Sequence, residues 1–366
     1  MLTRLYIDNF RCFEKFEWRP GRKQLILGRN GTGKTSLIEV LQSIHATAVD
    51  GERVEKWFKL NRRTRWLQQR EQIFEIEAEL KGGRYVYRLV LEPRGNPRHL
   101  RVRSETVHLH GEPLLTFLDG EVVVYPNGPG LGAGYQLDQN RLALPTIGES
   151  NARELVEFRR WLTRIECWHI NPISMGSRAE SEDTSPRVDI ANFAAWYRHL
   201  VQAYPRENTA FHQDLRGSLD GFDQLVLADA GENVRILYAE FLRDGKSIRI
   251  SFGELSDGQR YLICLYAITH FVVVKGGTVI IDEPDNFISL REIQPWLMRI
   301  EEIADDNNGQ VILISHHPEI LNQWAGPYGV QFIRDGAAPV RVEKFKGDPG
   351  SSLTVAELVA RGWDLE

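Results

Sequence analysis

Cysteine is scarce. The 366 residues hold three, Cys12, Cys167 and Cys264, far apart and in no metal-type cluster. Buried thiols in a reducing compartment are therefore expected rather than a disulfide framework. Positive charge is not in surplus either: 45 Lys and Arg against 50 Asp and Glu leave a formal net charge of -5. Any attraction to nucleic acid has to come from a local basic surface. No apolar run reaches the length that spans a bilayer, and the opening MLTRLYIDNFRCF is too polar and too alternating for a secretory leader. A cytoplasmic chain with no membrane partner is expected. The longest apolar stretch, residues 262–274, is interrupted by Thr269 and His270 and reads as a buried helix. Sustained heptads, internal repeats and low-complexity tracts beyond the polar, potentially unstructured stretch 174–187 are also missing. What is left is an ordinary globular composition, 42% hydrophobic and 26% charged, long enough for one large domain or two modest ones.

Residues 2–10 alternate apolar and polar and predict a strand, with a second over 13–18 and a turn at Pro20-Gly21. Leu25, Ile26 and Leu27 form a short apolar strand that stops at Gly28, after which Leu37, Ile38, Val40, Leu41 and Ile44 share one helical face. Between about 72 and 125, strand-like runs punctuated by Gly82-Gly83, Gly95-Asn96-Pro97 and Asp119-Gly120 predict antiparallel hairpins. Residues 126–150 read as a loop, 152–164 as a helix, 165–170 as a strand, and 189–204 and 206–217 as helices. Strand-like runs then lead to Gly253, and the last third alternates strand and helix, which implies a parallel or mixed sheet with covering helices.

Residues 28–35, Gly-Arg-Asn-Gly-Thr-Gly-Lys-Thr, match GxxxxGK[ST] in full, between a strand and a helix. The glycines let backbone N–H groups of Asn30, Gly31, Thr32 and Gly33 wrap a phosphate at a helix N-terminus, with Ser36 following. Lys34 would neutralise the β- and γ-phosphates, and Thr35 would offer a hydroxyl to Mg2+. Thr278 to Glu283 form an apolar strand ending in two acids. Asp282 can hold Mg2+ through water and Glu283 can orient or deprotonate an attacking water; two acids after a strand also make an ordinary solvated turn. Ser256 and Gly258 open a helix, where they can cap it or offer donors to a phosphate. His316 and His317 follow the buried strand 310–314, within reach of a γ-phosphate if that strand neighbours the Asp282 strand.

As an ordered set these motifs carry a resemblance. LSDGQR resembles the LSGGQ signature of ABC-type ATPases and precedes IIDEP, as that signature precedes the acidic strand in the class. LYIDNFRCF looks like the start of RecF-type and SMC-type ATPases, and DEPDNF followed by SHHPEIL is similar to the pattern of RecF/OLD-like ATPases of DNA repair and anti-phage defence. The resemblance covers about 1–45 and 248–335. It implies an α/β fold, an ABC-type P-loop NTPase with mixed sheet and helices, an inserted antiparallel β subdomain and a helical subdomain. One ATPase domain over 1–366 would comprise a lobe at 1–50, a hairpin insertion at 70–150, a connecting part at 151–247 and a C-terminal lobe at 248–366. It implies ATP and Mg2+ as cofactors, Lys34 and Thr35 on phosphate and metal, Asp282 as the Mg2+ partner, Glu283 as catalytic base and His316 as switch histidine. Ser256 and Gly258 would act on ATP bound to the other subunit of a head-to-tail homodimer, and Arg11 would lie near the nucleotide.

The chain departs from the pattern at two points. Asp257 replaces the second signature glycine, and no glutamine stands where a Q-loop is expected: the chain reads His169-Ile170-Asn171-Pro172. No long coiled coil separates the two halves, and the roughly fifty residues after His316 carry no DxD pair of the kind a TOPRIM nuclease needs. The implied role is an ATP-hydrolysing switch on DNA or on a partner effector, such as a nuclease encoded nearby. A transporter subunit shares the motifs but not the NFRCF opening or the hairpin insertion, and a non-hydrolysing scaffold would not need the intact acid pair. Arg53, Lys56, Lys59, Arg62, Arg63, Arg65 and Arg70, with Trp57, Phe58 and Trp66 interleaved, suit phosphate contacts and base stacking, as do Arg94, Arg98, Arg101 and Arg103 in the hairpins. A solvated helix with its aromatic residues packed inward explains the same run.

Overall fold

In LTRLYID the apolar Leu2, Leu5 and Ile7 are buried, while Thr3, Arg4 and Tyr6 stay half-exposed, so the segment folds as the strand Leu2–Asp8 with one wet face. The computed structural model describes residues 1–95, 99–125, 132–148, 152–346 and 353–361. Two compact units emerge, one of Met1–Glu166 with Tyr328–Phe345, the other of Cys167–Pro327 with Lys346–Glu366.

In the first unit the hairpins expected over 72–125 form, and with the N-terminal strands they make one eight-stranded antiparallel sheet. Its order is Phe16–Trp18, Leu2–Asp8, Gln72–Leu80, Gly83–Pro93, Leu100–Leu109, Glu112–Leu118, Glu121–Val124, Ala133–Gln136. The apolar face packs on the helix Arg153–Leu162, where the Tyr85 and Phe158 rings stack with centroids 5.5 Å apart. On the polar face Arg4 bonds Glu17 and Glu75 at 2.8 and 2.7 Å. The second strand starts later than the sequence suggests, at Phe16, because Phe10 and Phe13 bond each other across a tight turn with Arg11 at φ 52° and Lys15 at φ 46°. The strand Lys23–Leu27 pairs in parallel with Gly329–Ile333, which pairs antiparallel with Arg341–Lys344. The loop expected over 126–150 lies outside the described residues at 126–131 and 149–150; its described part includes a strand, Ala133–Gln136.

Glu105 is fully buried in this unit, its carboxylate accepting from the Ala143 N–H at 2.5 Å and the Tyr87 hydroxyl at 3.1 Å. Burial pushes its pKa up from 4.5 to about 7. The native state therefore binds the extra proton: the contribution is complete below pH 4.5 and is lost as pH rises to about 7. Glu105→Gln keeps an acceptor for Ala143 and can donate to the Tyr87 oxygen. It is expected to stabilise the protein at about pH 8 by up to ~3 kcal/mol and to flatten the loss on going from acid to neutral pH, as read by urea unfolding.

In the second unit, Thr278–Asp282 and Gln310–Ile314 pair in parallel, with Asp282 opposite Ile314. Both are almost wholly buried, as strands covered on two faces are. The run expected as a buried helix is the helix Asp257–Phe271, which buries every residue from Tyr261 onward. The helix Leu290–Asp306 buries one stripe, Ile293, Trp296, Leu297, Ile300, Ile303 and Ala304, and Trp296 donates to the Thr269 hydroxyl at 3.0 Å. A separate antiparallel sheet holds Phe222–Asp229, Arg235–Arg243 and Lys246–Ser251. The polar stretch 174–187 is more ordered than its composition suggests. Arg178–Ala179 adds a strand edge to Arg235–Arg243, Ser177 bonds Ser251 at 2.6 Å, and the Asn192 amide donates to Asp183 at 2.6 Å. After Gln310–Ile314 the chain forms a short helical turn, Pro318–Ile320, followed by a π-helical turn, Leu321–Ala325. All three cysteines are buried. Among the described residues no helix is long and apolar enough to cross a membrane.

Candidate functional site

The phosphate loop belongs to the first unit. Lys23–Leu27 is a buried strand, and the chain leaves it at Gly28 with φ 151°, turns at Gly31 with φ 84°, and enters the helix Lys34–Ala48 at Gly33 with φ 96°. Two of these glycines are also required by contact. A Cβ on Gly28 would lie 2.6 Å from the Phe332 carbonyl oxygen, and one on Gly33 would lie 2.9 Å from the Cys12 sulfur. The Lys34 ammonium donates to the Gly28 carbonyl and, at 3.2 Å, to that of Arg29, so the cation is held inside the loop. Thr32 is buried and donates its hydroxyl to Arg29 at 2.8 Å, whereas Asn30, Gly31 and Thr35 are exposed and Ser36 is half-buried. Left-handed glycines, a helix N-terminus with no side-chain cap and a captive ammonium form a cradle that fits a polyphosphate.

The Arg11 side chain reaches the same helix from the turn between Phe10 and Phe13. Its Nε lies 2.5 Å from a Glu39 carboxylate oxygen, and Arg62 binds the other oxygen of that carboxylate. The Arg11 backbone N–H donates to the Arg62 carbonyl at 2.6 Å, which locks the two arginines together. Burial, then the neighbouring Arg11 charge, pulls the Arg62 pKa down.

The acid turn and the signature belong to the second unit. Asp282 ends its strand largely buried, and Glu283 turns the chain at φ 52° with its N–H on the Ile314 carbonyl at 2.8 Å. The Glu283 carboxylate accepts from the Asn286 amide at 2.7 Å, and its backbone carbonyl accepts from the Tyr261 hydroxyl at 2.7 Å. Asp285, next in the turn, accepts from the Ser315 hydroxyl at 2.5 Å. Because Asp282 and Ile314 are in register, exposed His316 stands just past the same end of the parallel pair. His317 instead accepts from the Glu319 N–H and caps the next turn. Ser256 caps its helix in a reciprocal box: its hydroxyl accepts from the Gln259 N–H at 3.2 Å, and the Gln259 side chain accepts from the Ser256 N–H at 3.1 Å. The Ser256 side chain is exposed, and its own O–H proton remains available to donate. Gly258 is required by packing, since a Cβ there would lie 2.5 Å from the Phe287 carbonyl oxygen.

Sequence reasoning missed three partners here: Tyr261, Asp285 and His169. The His169 Nδ1 lies 3.5 Å from the Asp282 carboxylate. The signal for it was present, a polar residue directly after the buried strand Ile165–Trp168, where a Q-loop glutamine was sought. Among the described residues no group of three or more His, Cys, Asp and Glu gathers as a metal site. Within the second unit the largely buried Asp282 carboxylate is a hard oxygen donor of the kind Mg2+ takes.

The basic run forms only a short helix, Val54–Trp57, and a 3-10 turn, Leu60–Arg62. Phe58 is buried with its ring 4.9 Å from that of Phe74, whereas Trp66 is exposed and donates to Glu14 at 2.7 Å. Lys56 pairs with Glu52 at 2.7 Å and His99 approaches Glu55 at 3.0 Å, both on an open cavity of about 880 Å3. Arg103 pairs with Glu71 and Arg101 with Glu92; Arg98 lies outside the described residues.

A protein family described as "AAA domain, putative AbiEii toxin, Type IV TA system" matches residues 25–322. Among solved structures, the SMC head domain from Thermotoga maritima is similar over 94% of this chain and 99% of its own, at 14% identity and a TM-score of 0.50. An SmcHead bound to the C-winged helix domain of ScpA is similar over 93% and 96%, at 12% identity and a TM-score of 0.57. No curated protein matches the chain by sequence. At these identities the structural likeness shows the fold, the mixed α/β fold of SMC-head P-loop ATPases. Among the described residues the longest helix, Leu290–Asp306, has 17 residues, so none of them forms a coiled-coil arm.

Proposed function

We propose, from the premise that this chain belongs to the family described as "AAA domain, putative AbiEii toxin, Type IV TA system", that it binds ATP with Mg2+, hydrolyses it, and is switched by ATP into a head-to-tail dimer. The switch acts on a partner effector or on DNA, in repair or anti-phage defence. The observation that supports a switch over a static ATP holder is the link between signature and acid turn. Tyr261, in the helix that Ser256 caps, bonds the Glu283 carbonyl, and Gly258 lies against Phe287 of the same turn. A ligand gripping the Ser256 end thus bears on the segment that orients Glu283.

In this reading Lys34 and the loop N–H groups neutralise the phosphates, and Thr35 and Asp282 hold the metal. Mg2+, when bound, offsets the charge that develops on the phosphate oxygens. Glu283 accepts a proton from the attacking water, and His316 contacts the γ-phosphate. Ser256 and the Gly258 N–H serve the nucleotide of the other copy. Arg11, paired with Glu39 of the phosphate-loop helix, lies near the nucleotide in this reading. DNA as a direct partner draws less support, because Lys56, Arg62, Arg101 and Arg103 already pair with carboxylates. An effector protein is the better-supported partner.

A mixing experiment tests the composite site. Lys34→Ala and Ser256→Arg are each expected to abolish turnover alone. Mixed one to one they should regain about a quarter of wild-type ATPase activity, since about half the dimers are mixed and each has one intact site of two. Ser256→Arg protein that turns over ATP by itself, as a monomer, would show that each chain works alone.

A further inference from the structure

The open cavity of about 880 Å3 in the first unit takes its walls from one short stretch of chain, residues 52–63, and from His99. Arg53, Lys56, Lys59 and Arg63 line it together with Glu52 and Glu55, so cations outnumber carboxylates there on a chain whose net charge is -5. Lys56 lies 2.7 Å from Glu52, and Arg53 lies 3.8 Å from Glu55. Lys59 is exposed, and among the described residues neither it nor Arg63 has a carboxylate partner. The Arg63 guanidinium donates to the Gln69 carbonyl, while its buried Nε finds no acceptor among the described residues. Half-buried Leu60 adds an apolar patch to the wall.

The surplus of cations selects an anionic occupant, and the carboxylates on the same wall decide which kind. A DNA backbone would bring phosphates past Glu52 and Glu55 with no donor to offer them. An extended peptide brings N–H donors for those carboxylates, acidic side chains for Lys59 and Arg63, and an apolar side chain for Leu60. The wall is also tied to the phosphate loop. Leu60 and Asn61 belong, with Arg62, to one 3-10 turn. Arg62 binds the Glu39 carboxylate on the helix Lys34–Ala48, and its carbonyl accepts from the Arg11 N–H at 2.6 Å. An occupant that shifts this turn therefore shifts the grip of Arg62 on the helix whose N-terminus closes the phosphate cradle.

Resting on the effector reading above, we propose that this cavity docks an acidic, extended segment of the partner effector, and that the turn Leu60–Arg62 couples its occupancy to nucleotide binding.

The probe is a fluorescein-labelled peptide that alternates glutamate and alanine, followed by anisotropy without nucleotide. Wild-type protein is expected to bind it about tenfold more tightly than the matching glutamine-alanine peptide. Lys59→Glu, at an exposed position, should lose about tenfold in affinity, and Lys59→Arg should keep it. Equal affinity for the two peptides, or no loss in Lys59→Glu, overturns the docking site and leaves the nucleotide reading standing. A labelled single-stranded DNA that binds more tightly than the peptide, and loses affinity in Lys59→Glu, also overturns it in favour of nucleic acid. Saturating peptide should change the dissociation constant of the slowly hydrolysed analogue ATPγS about fivefold or more in calorimetric titration, and ATPγS should change that of the peptide by the same factor. In Arg62→Ala the peptide should still bind while that factor falls toward one. A factor unchanged in this variant, or absent from wild type, overturns the coupling. No ATPγS binding to wild type overturns the nucleotide reading and the coupling with it, and the peptide titrations then decide the docking site by themselves.

Discussion

Replacing Glu283 by glutamine is expected to slow ATP hydrolysis by about 10^2- to 10^4-fold, the range that a positioned proton acceptor contributes. The substitution is well matched to the turn. The left-handed backbone at φ 52° is held by the Ile314 carbonyl and the Tyr261 hydroxyl, neither of which involves the side chain. The one side-chain bond, from the Asn286 amide at 2.7 Å, can still be accepted by the glutamine oxygen. Fold and ATP binding should therefore persist while the proton acceptor is lost. With hydrolysis slowed, ATP and Mg2+ should convert the variant to a dimer that light scattering after gel filtration resolves, and that disperses when nucleotide is removed. Turnover equal to wild type would move the base elsewhere.

Lys34→Ala is expected to weaken ATP binding by about 100-fold or more, equivalent to about 2.7 kcal/mol and within the 1.5–3 kcal/mol that one hydrogen bond to a charged group supplies. The empty loop should tolerate the change. Of the two carbonyls that lose the ammonium, that of Arg29 keeps its bonds from the Thr32 hydroxyl at 2.8 Å and the Thr32 N–H at 3.3 Å. The melting temperature without nucleotide should stay near wild type, while the rise on adding ATP and Mg2+ disappears. Calorimetric titration distinguishes this from general damage: an unchanged dissociation constant would take the lysine out of phosphate binding.

Glu283, Lys34 and their neighbours were legible because their logic is local. Eight consecutive residues make the phosphate loop, since left-handed turns need glycine and a helix N-terminus presents N–H groups wherever it occurs. The acid pair was legible because a buried apolar strand has to end where polar residues begin, and the hairpins because strand alternation reports which face is wet. Hence strand, loop and helix appear at 23–48, and antiparallel hairpins at 72–124.

The side chains that do not announce themselves are those whose partners lie elsewhere in the sequence. The composition of the 53–70 run was the same for two outcomes; packing on Phe74 turned Phe58 inward and left Trp66 exposed. Arg11 was assigned by resemblance alone, and tertiary structure gave it Glu39 and a neighbour in Arg62. Glycine at 258 looked like a motif letter until the Phe287 carbonyl was found where a Cβ would stand. Polar composition suggested no order for 174–187, yet the edge of a strand and the amide of Asn192 supply its hydrogen bonds. His169 read as a missing glutamine until the fold set it beside Asp282. Periodicity and turn chemistry are properties of neighbours along the chain, so the sequence by itself determined the elements, the phosphate loop and the acid pair. Which distant side chains share one hydrogen bond or one buried face depends on how those elements pack, and that only the tertiary structure decided.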